Sequence, residues 1–255
     1  MKLAKDLYLV GSGGVGISHP TDAHIYLIDG HGELALIDTG SGVAPERILA
    51  NVRSDGLDPA RITAVLTTHA HLDHAGSHAR IKRATGCKIG INPHGVQTLE
   101  KDLWPGHPAL TSGFVPETVK VDFTFTEGDV IRVGDYEVTC VHTPGHSVDS
   151  TCFVATVGGL RALFTGDTLS GEGHLGVVSA ETDFVGYRNH LRRVLAMKPE
   201  ALLPGHHMFS LAHAERYIEH SISLLEGRWS GFQMGSPAFY PSWWFTHFAS
   251  TLNRL

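Results

Sequence analysis

The sequence predicts an α+β fold in which two packed β-sheets are flanked by helices. Short strands fill the first third of the 255-residue chain, and a second group of strands lies between Val121 and Thr156. Apolar residues then recur at helical spacing in 184–197 and in 210–227, where the stripe runs from Leu211 to Leu225. A chain with this mix of elements buries its apolar surface as packed sheets with helices outside.

The first third of the chain predicts strands joined by tight turns. These strands are expected at 7–10, 24–28, 34–37 and 61–67. Gly30-His31-Gly32 is typical of a hairpin turn, and Gly128-Asp129 predicts a second hairpin further along. A helix is expected to begin at Pro45 and to end before Gly56, since proline favours the first turn and glycine the position after the last.

Composition limits the class of protein. Hydrophobic residues make up 42% and charged residues 18% of the chain, as in a soluble enzyme, and the net charge of -6 argues against nucleic-acid binding. Neither a signal peptide nor an apolar run long enough for a membrane span is visible. Cys87, Cys140 and Cys152 lie in apolar patterns and predict reduced, buried thiols. We therefore expect one cytoplasmic domain over 1–255, with no membrane partner.

The segment His69-Ala70-His71-Leu72-Asp73-His74 places three imidazoles and a carboxylate within six residues. Imidazole and carboxylate groups are ligands for Zn²⁺ and its first-row neighbours. His69 and His71 would point about 200° apart on a helix, but they point the same way in an extended chain. We expect both on a strand end or the loop that leaves it, and Asp73 and His74 at the start of a helix closed by Gly86.

Three other apolar strands each end in a turn that presents a ligand-type side chain. They lead to Thr143-Pro144-Gly145-His146, Thr165-Gly166-Asp167 and Pro204-Gly205-His206. Strands whose carboxyl ends point to one place form a rigid cup, where binding groups gather in layered α/β folds. His207 is the alternative to His206. We prefer His206 because, like His146, it follows Pro-Gly.

The order and spacing of these motifs resemble the metallo-β-lactamase-fold hydrolase superfamily over roughly residues 5–226, and 36–40 resembles its first motif. The resemblance implies an αββα sandwich with a dinuclear metal site at one edge. Two divalent ions are implied, Zn²⁺ first and Fe, Mn or Co as alternatives. The implied ligands are His69, His71 and His146 for one ion, Asp73, His74 and His206 for the other, and Asp167 as a bridge. Asp38 would orient ligand imidazoles.

The full set of seven ligands is most similar to the glyoxalase II, thioesterase and lactonase branch. Class B β-lactamases lack the bridging aspartate, and flavodiiron relatives usually carry an acidic residue where His71 stands. Ser170 occupies the place of a tyrosine found in many lactonases, and 176–178 lacks the Lys/Tyr pair of glyoxalase II enzymes. The resemblance therefore leaves the small-molecule substrate open among thioesters, lactones and esters.

The charge of the implied site suggests a mechanism. Two divalent ions outweigh the carboxylates of Asp73 and Asp167, which favours hydroxide over water between the ions. That hydroxide would attack an acyl carbonyl, and Asp73 would carry the proton to the leaving group. A phosphodiesterase, or an iron-dependent redox enzyme or sulfur dioxygenase of the same fold, is the alternative.

Several residues outside the ligand set are candidates for substrate contact. His174 lies in a glycine-rich loop, Asp22 and His24 lie near the edge loop, and Trp104 lies in a segment with little strand pattern. An aromatic extension from about residue 229 holds three of the four tryptophans. It is expected to pack on the core, to form a wall of the substrate pocket, or to make a homodimer contact.

Overall fold

The computed structural model describes residues 1–101, 116–176, 178 and 182–229, and of residues 172, 228 and 229 it describes the backbone only. The predictions about Trp104 and about the extension from residue 230 onward lie outside the described residues.

The first sheet, in the described part of the chain, has seven strands in sequential order. They are β1 (Lys2–Ala4), β2 (Leu7–Gly11), β3 (Ile25–Asp29), β4 (Leu34–Ile37), β5 (Ile62–Leu66), β6 (Lys88–Ile91) and β7 (Phe123–Thr124). Neighbouring strands are antiparallel from β1 to β4 and parallel from β4 to β7. Asp29 lies opposite Leu34 in the β3–β4 pair, which confirms the hairpin predicted at 30–32.

The second sheet has the order β12-β11-β10-β9-β8 in the numbering that follows. Its strands are β8 (Val130–Val133), β9 (Tyr136–His142), β10 (Thr151–Val157), β11 (Leu160–Gly166) and β12 (Ala201–Pro204). Strands β8 to β11 form an antiparallel meander, and β12 is parallel to β11. Strands β9, β11 and β12 therefore run in the same direction, and their carboxyl ends share one edge.

The hairpin predicted at Gly128-Asp129 is wrong. This turn passes from β7 in the first sheet to β8 in the second, and the β8–β9 hairpin turns at Gly134-Asp135 instead. The Asp129 side chain accepts a hydrogen bond of 2.7 Å from the backbone N–H of Thr126, so the segment has ordinary turn chemistry. Turn chemistry does not specify whether the next strand pairs with the preceding one.

Helices cover the outer face of each sheet. They are α1 (Pro45–Ser54), α2 (Leu72–Ala75), α3 (His78–Thr85), α4 (Val96–Lys101), α5 (Phe184–Ala196) and α6 (Ala214–Trp229). Alternate residues of β2 face opposite sides of the first sheet. Leu7 and Leu9 pack between the sheets, whereas Tyr8 and Val10 pack with α1, α3 and α4. A third cluster joins the second sheet to α5 and α6. The predicted αββα sandwich is confirmed.

The single helix predicted from Asp73 to Gly86 is two helices, α2 and α3. The carbonyl of Asp73 accepts from Ala23 N at 3.1 Å, and the N–H of Ser77 donates to Gly40 O at 3.1 Å, so tertiary bonds replace helical ones. A Cβ at Gly76 would lie 2.3 Å from Ser41 O, and this close contact fixes the break. The predicted end at Gly86 is confirmed by its left-handed φ of 78°.

The helix predicted over 210–227 begins later, at Ala214. Ser210 forms an isolated β-bridge with Leu202, and Leu211 is 37% exposed, so neither belongs to the helix despite its apolar spacing. Helix α5 matches its prediction, with Leu191 and Val194 buried.

The three cysteines are free and buried, as predicted, and burial raises the pKa of Cys140 to about 12 and that of Cys152 to about 11. No helix in the described ranges combines the length and apolar character needed to cross a membrane.

His78, on α3, should make the fold less stable in acid. Its Nδ1 lies 2.6 Å from Thr39 Oγ1 and its Nε2 lies 2.7 Å from Thr67 Oγ1, and burial lowers its pKa to about 3. Below the ordinary histidine pKa of about 6.5, the unfolded chain binds a proton that the folded chain excludes, so the free energy of unfolding decreases as the pH falls. Between pH 7 and pH 5, we expect the free energy of unfolding of His78→Gln to fall by about 2 kcal/mol less than that of the wild type.

Urea unfolding at the two pH values measures this difference. The histidines of the cluster around His69 are present in both proteins, so their titration cancels in the comparison. Equal losses of stability in the wild type and in His78→Gln would contradict the buried neutral state of His78.

Candidate metal centre

Four loops from both sheets meet at one edge of the sandwich. The loop after β5 carries His69 and His71, and it leads into α2, which carries Asp73 and His74. The other three ligand-type residues follow the carboxyl ends of second-sheet strands: His146 after β9, Asp167 after β11 and His206 after β12. His71 has extended backbone angles (φ -83°, ψ 153°), which confirms the predicted loop placement.

Three histidine nitrogens converge in the first cluster. The distance from His69 Nε2 to His71 Nδ1 is 3.0 Å, and His146 Nε2 lies 3.2 Å from His69 Nε2 and 2.9 Å from His71 Nδ1. Nitrogen ligands of one tetrahedral Zn²⁺ are about 3.3 Å apart, because each lies 2.0–2.1 Å from the ion. Burial lowers the pKa of His71 to about 4 and that of His69 well below its usual range, so both are neutral at pH 7.

The second cluster adds carboxylates. Asp73 Oδ2 lies 2.9 Å from His206 Nε2 and 3.7 Å from His74 Nε2. Asp167 lies between the two clusters, because its Oδ1 is 3.1 Å from His74 Nε2 while its Oδ2 is 3.6 Å from His146 Nε2. All seven residues predicted as ligands are therefore brought together. They form three overlapping groups: His69, His71 and His146; His69, His74 and Asp167; and Asp73, His74 and His206.

The chemistry of this donor set fits divalent cations. His74 Nε2 and Asp167 Oδ1 are buried and, among the described residues, have no hydrogen-bond partner of good geometry. Such an atom costs about 1–3 kcal/mol when nothing binds it. Burial lowers the pKa of His74, but the carboxylates of Asp167, Asp73 and Asp38 raise it well above its usual value. The site thus favours a positive charge between neutral nitrogens and carboxylate oxygens.

Asp38 holds His74 from behind. The Asp38 carboxylate accepts hydrogen bonds of 2.8 Å from the backbone N–H of Thr68, from Thr68 Oγ1 and from His74 Nδ1. The bond to Nδ1 leaves Nε2 of His74 directed at Asp167. This is the arrangement that fixes the tautomer and orientation of a ligand imidazole.

Asp38→Asn should weaken metal binding by about 10- to 100-fold, because in either orientation the amide N–H would face a donor, the N–H of His74 or the backbone N–H of Thr68. Competition with a chromophoric chelator measures the affinity, and the exposed Asp135→Asn is the matched control. Unchanged affinity in a folded Asp38→Asn protein would contradict this role.

Of His206 and His207, the structure brings His206 to the donor cluster. His206 lies in the second cluster, whereas His207 has a left-handed φ of 65°, and its ring lies 6.3 Å from that of His174. His174 is exposed at this side of the cluster. Its contact with substrate stays a prediction.

Asp22 and His24, also candidates for substrate contact, are buried. The Asp22 carboxylate accepts from Ser18 Oγ, from His19 N, and from both N and Oγ of Ser41. Its oxygens are thus engaged in joining the loop before β3 to the loop after β4. His24 lies beside the turn that carries His206, with its Nε2 2.6 Å from His207 O.

Asp149 is a site residue that the sequence analysis missed. Its buried Oδ2 accepts a hydrogen bond of 2.7 Å from the backbone N–H of Ala70, which lies between His69 and His71. A Cβ at Gly95 would lie 2.5 Å from the same oxygen, so this glycine makes room for the carboxylate. In the sequence, Ser-Val-Asp-Ser after His146 indicates only a turn, because the partner of Asp149 is 79 residues away.

Comparison with known proteins agrees with this geometry. Residues 20–206 match the family model of the metallo-beta-lactamase superfamily. The chain belongs to this superfamily. It is 31% identical over 182 residues to the atrochrysone carboxyl ACP thioesterase of Aspergillus fumigatus, covering 71% of this chain and 49% of the relative. It is 34% identical over 155 residues to a hydroxyacylglutathione hydrolase of Rhodospirillum rubrum, covering 60% and 50%.

Among solved structures, the chain is similar to BJP-1, a subclass B3 metallo-beta-lactamase of Bradyrhizobium japonicum. The TM-score is 0.71 at 26% identity, over 90% of this chain and 91% of the other. The chain spans about half the length of the two curated relatives. Membership of the metallo-beta-lactamase superfamily confirms the resemblance inferred from the motifs and implies divalent metal ions at the edge where the two clusters lie.

Proposed function

We propose that this chain is a dinuclear metal-dependent hydrolase of a small acyl substrate, with a thioester, lactone or ester as the bond cleaved. The observation that carries the proposal is the place of Asp167, whose two oxygens face different clusters of donors. In this assignment one ion would be held by His69, His71 and His146, the other by Asp73, His74 and His206, and Asp167 would contribute an oxygen to each.

Divalent ions, zinc being the first expectation, would supply Lewis acidity that activates water and polarises a carbonyl. The chain's own residues hold the donors in place. Asp38 orients His74, and Asp149 fixes the loop between His69 and His71. These contacts preorganise the site, so the donors need little rearrangement when charge develops on the substrate.

Asp73 is the proton carrier in this mechanism. Burial raises the pKa of Asp73, but the charge of His74 and the hydrogen bond with His206 lower it by more, so the net pKa lies below its usual value. The carboxylate is therefore ionised at neutral pH. Its Oδ2, 2.9 Å from His206 Nε2, faces the second cluster, so Oδ1 would accept the proton released by the attacking water and pass it to the leaving group.

Side-chain exposure indicates the direction of substrate entry. The side chains of His206 and Asp73 are 39% and 31% exposed, whereas those of His74 and His146 are 0% and 6% exposed. A small molecule can therefore reach the donors from the side of Asp73 and His206. We place the leaving group on that side, where Asp73 can protonate it.

The names of two relatives favour testing thioesters first. One is a thioesterase and the other a hydroxyacylglutathione hydrolase. Ser170 and the stretch 176–178 give no residue-level support for a particular acyl group.

The proposed function can be tested with metal-reconstituted protein and a panel of thioesters, lactones, esters and phosphodiesters. We expect turnover of at least one acyl class, with Asp167→Ala as the inactive control. A clear preference for phosphodiesters would replace the proposal by a phosphodiesterase. Oxygen uptake with iron-loaded protein, in the absence of acyl hydrolysis, would replace it by a redox enzyme.

A further inference from the structure

The two residues that precede β3 contact both segments of the second cluster. The backbone N–H of Ala23 donates to Asp73 O at 3.1 Å, and the backbone N–H of the next residue, His24, donates to Gly205 O at 2.7 Å. Two adjacent amides just before β3 therefore hold helix α2 at Asp73 and the turn that carries His206. The side chains of Asp73 and His206 approach to 2.9 Å at this place.

The ring of His24 adds a second bond to the same turn. Its Nε2 lies 2.6 Å from the carbonyl oxygen of His207, and because a carbonyl can only accept, Nε2 carries the hydrogen. His24 thus binds the residue before His206 through its backbone and the residue after it through its ring. His207 has a left-handed φ of 65°, a conformation that residues other than glycine rarely adopt.

The ring itself is held firmly. His24 is 2% exposed, and its ring meets those of Tyr26 and Phe209 edge-on at 6.1 and 6.4 Å. Tyr26 Oη donates to Pro204 O at 2.8 Å, so β3 also anchors the start of the turn. A ring enclosed in this way cannot reach a substrate. It can act on the site only through the turn.

Stability alone does not account for an imidazole here. The Nδ1 of His24 is buried and has no hydrogen-bond partner within the described ranges. A buried nitrogen without a partner is unfavourable, and the edge-on contacts with Tyr26 and Phe209 are equally open to an apolar ring. What a phenyl ring would lack is the N–H that binds the carbonyl of His207.

We propose that His24 is a positioning residue for the second metal ion. Its ring N–H fixes the backbone after His206, so that His206 Nε2 and Asp73 Oδ2 stay close enough to bind the same cation. This inference rests on the proposed function, in which those two residues are ligands. It assigns His24 to metal retention rather than to substrate contact.

The test compares His24→Phe with His24→Gln. Phenylalanine keeps a ring of similar size without a donor, whereas the glutamine amide can place an N–H near the position of Nε2. The matched control is Tyr136→Phe, which removes another ring hydrogen bond between elements, from Tyr136 Oη to Asp6 Oδ2 at 2.6 Å, at the opposite end of β9. Each protein is titrated with Zn²⁺ against a chelator and with Co²⁺ by visible absorption, and its thermal unfolding is followed without added metal.

In His24→Phe we expect the weaker of two bound ions to be lost at least about tenfold more easily, with no fall in the melting temperature of the metal-free protein. We expect His24→Gln to restore affinity to within a few-fold of the wild type, and Tyr136→Phe to keep wild-type affinity while losing stability. Equal affinity in His24→Phe and the wild type would overturn the inference and leave the proposed function intact. A wild type that binds no second ion would instead overturn the proposed function.

Discussion

Asp167→Ala should bind one metal ion fewer than the wild type and lose more than about 100-fold in kcat/KM toward an acyl substrate. Removing a group that only orients a ligand costs about 10- to 100-fold, and in the proposed assignment Asp167 would contribute donor atoms itself. Its Oδ1 and Oδ2 face different clusters, so no neighbouring carboxylate can replace both contacts. Burial raises the pKa of Asp167, but the surrounding histidines hold it well below its usual value, so the group is an anion at any pH of interest.

Metal content by elemental analysis and initial rates on the same samples test this expectation. Asp167→Asn keeps the shape of the side chain and separates loss of charge from loss of packing. Asp135→Ala, at an exposed carboxylate of the β8–β9 turn, is the matched control. Two bound ions and normal turnover in Asp167→Ala would show that Asp167 does not join the clusters.

Asp73→Asn should reduce kcat by about 10²- to 10⁴-fold while leaving the fold almost as stable as before. The asparagine side chain still offers an oxygen to the second cluster, but it cannot take up a proton and release it again. The side chain of Asp73 is 31% exposed, so its replacement disturbs little packing.

A series of thioesters whose leaving thiols differ in pKa separates proton transfer from metal binding. Leaving groups that need no proton should react with Asp73→Asn at rates closer to the wild type, whereas poor leaving groups should show the full loss. An equal loss across the series would assign Asp73 to metal binding alone, and an unchanged rate would remove it from the mechanism.

The sequence was sufficient to predict the parts of the site that depend on local geometry. The two-residue spacing of His69 and His71 required an extended chain, and the turns before His146 and His206 placed one side chain at the end of each strand. The layers followed from the apolar periodicity of the strands and helices, which is a local property of the sequence.

Contacts that join distant segments could not be predicted in this way. Asp149 meets Ala70 across 79 residues, and His24 meets His207 across 183 residues. Each of these bonds links a side chain to a backbone group of a distant segment. Backbone groups are alike along the chain, so the sequence does not show which of them will be the partner. The errors at Gly128 and Leu211 have the same origin, because local turn and helix signals were overruled by pairing with another strand.

The donors come from both halves of the sandwich, four from the loop after β5 and helix α2, and three from loops of the second sheet. Ions held by donors from both sheets would therefore cross-link the two layers at the edge where these donors meet. Metal binding and the free energy of unfolding would be thermodynamically linked. At a free metal concentration of 100 times Kd, the folded state would gain about 2.7 kcal/mol. In a cell short of the metal, the metal-free protein would then be least stable at the edge where the donors of the two sheets meet.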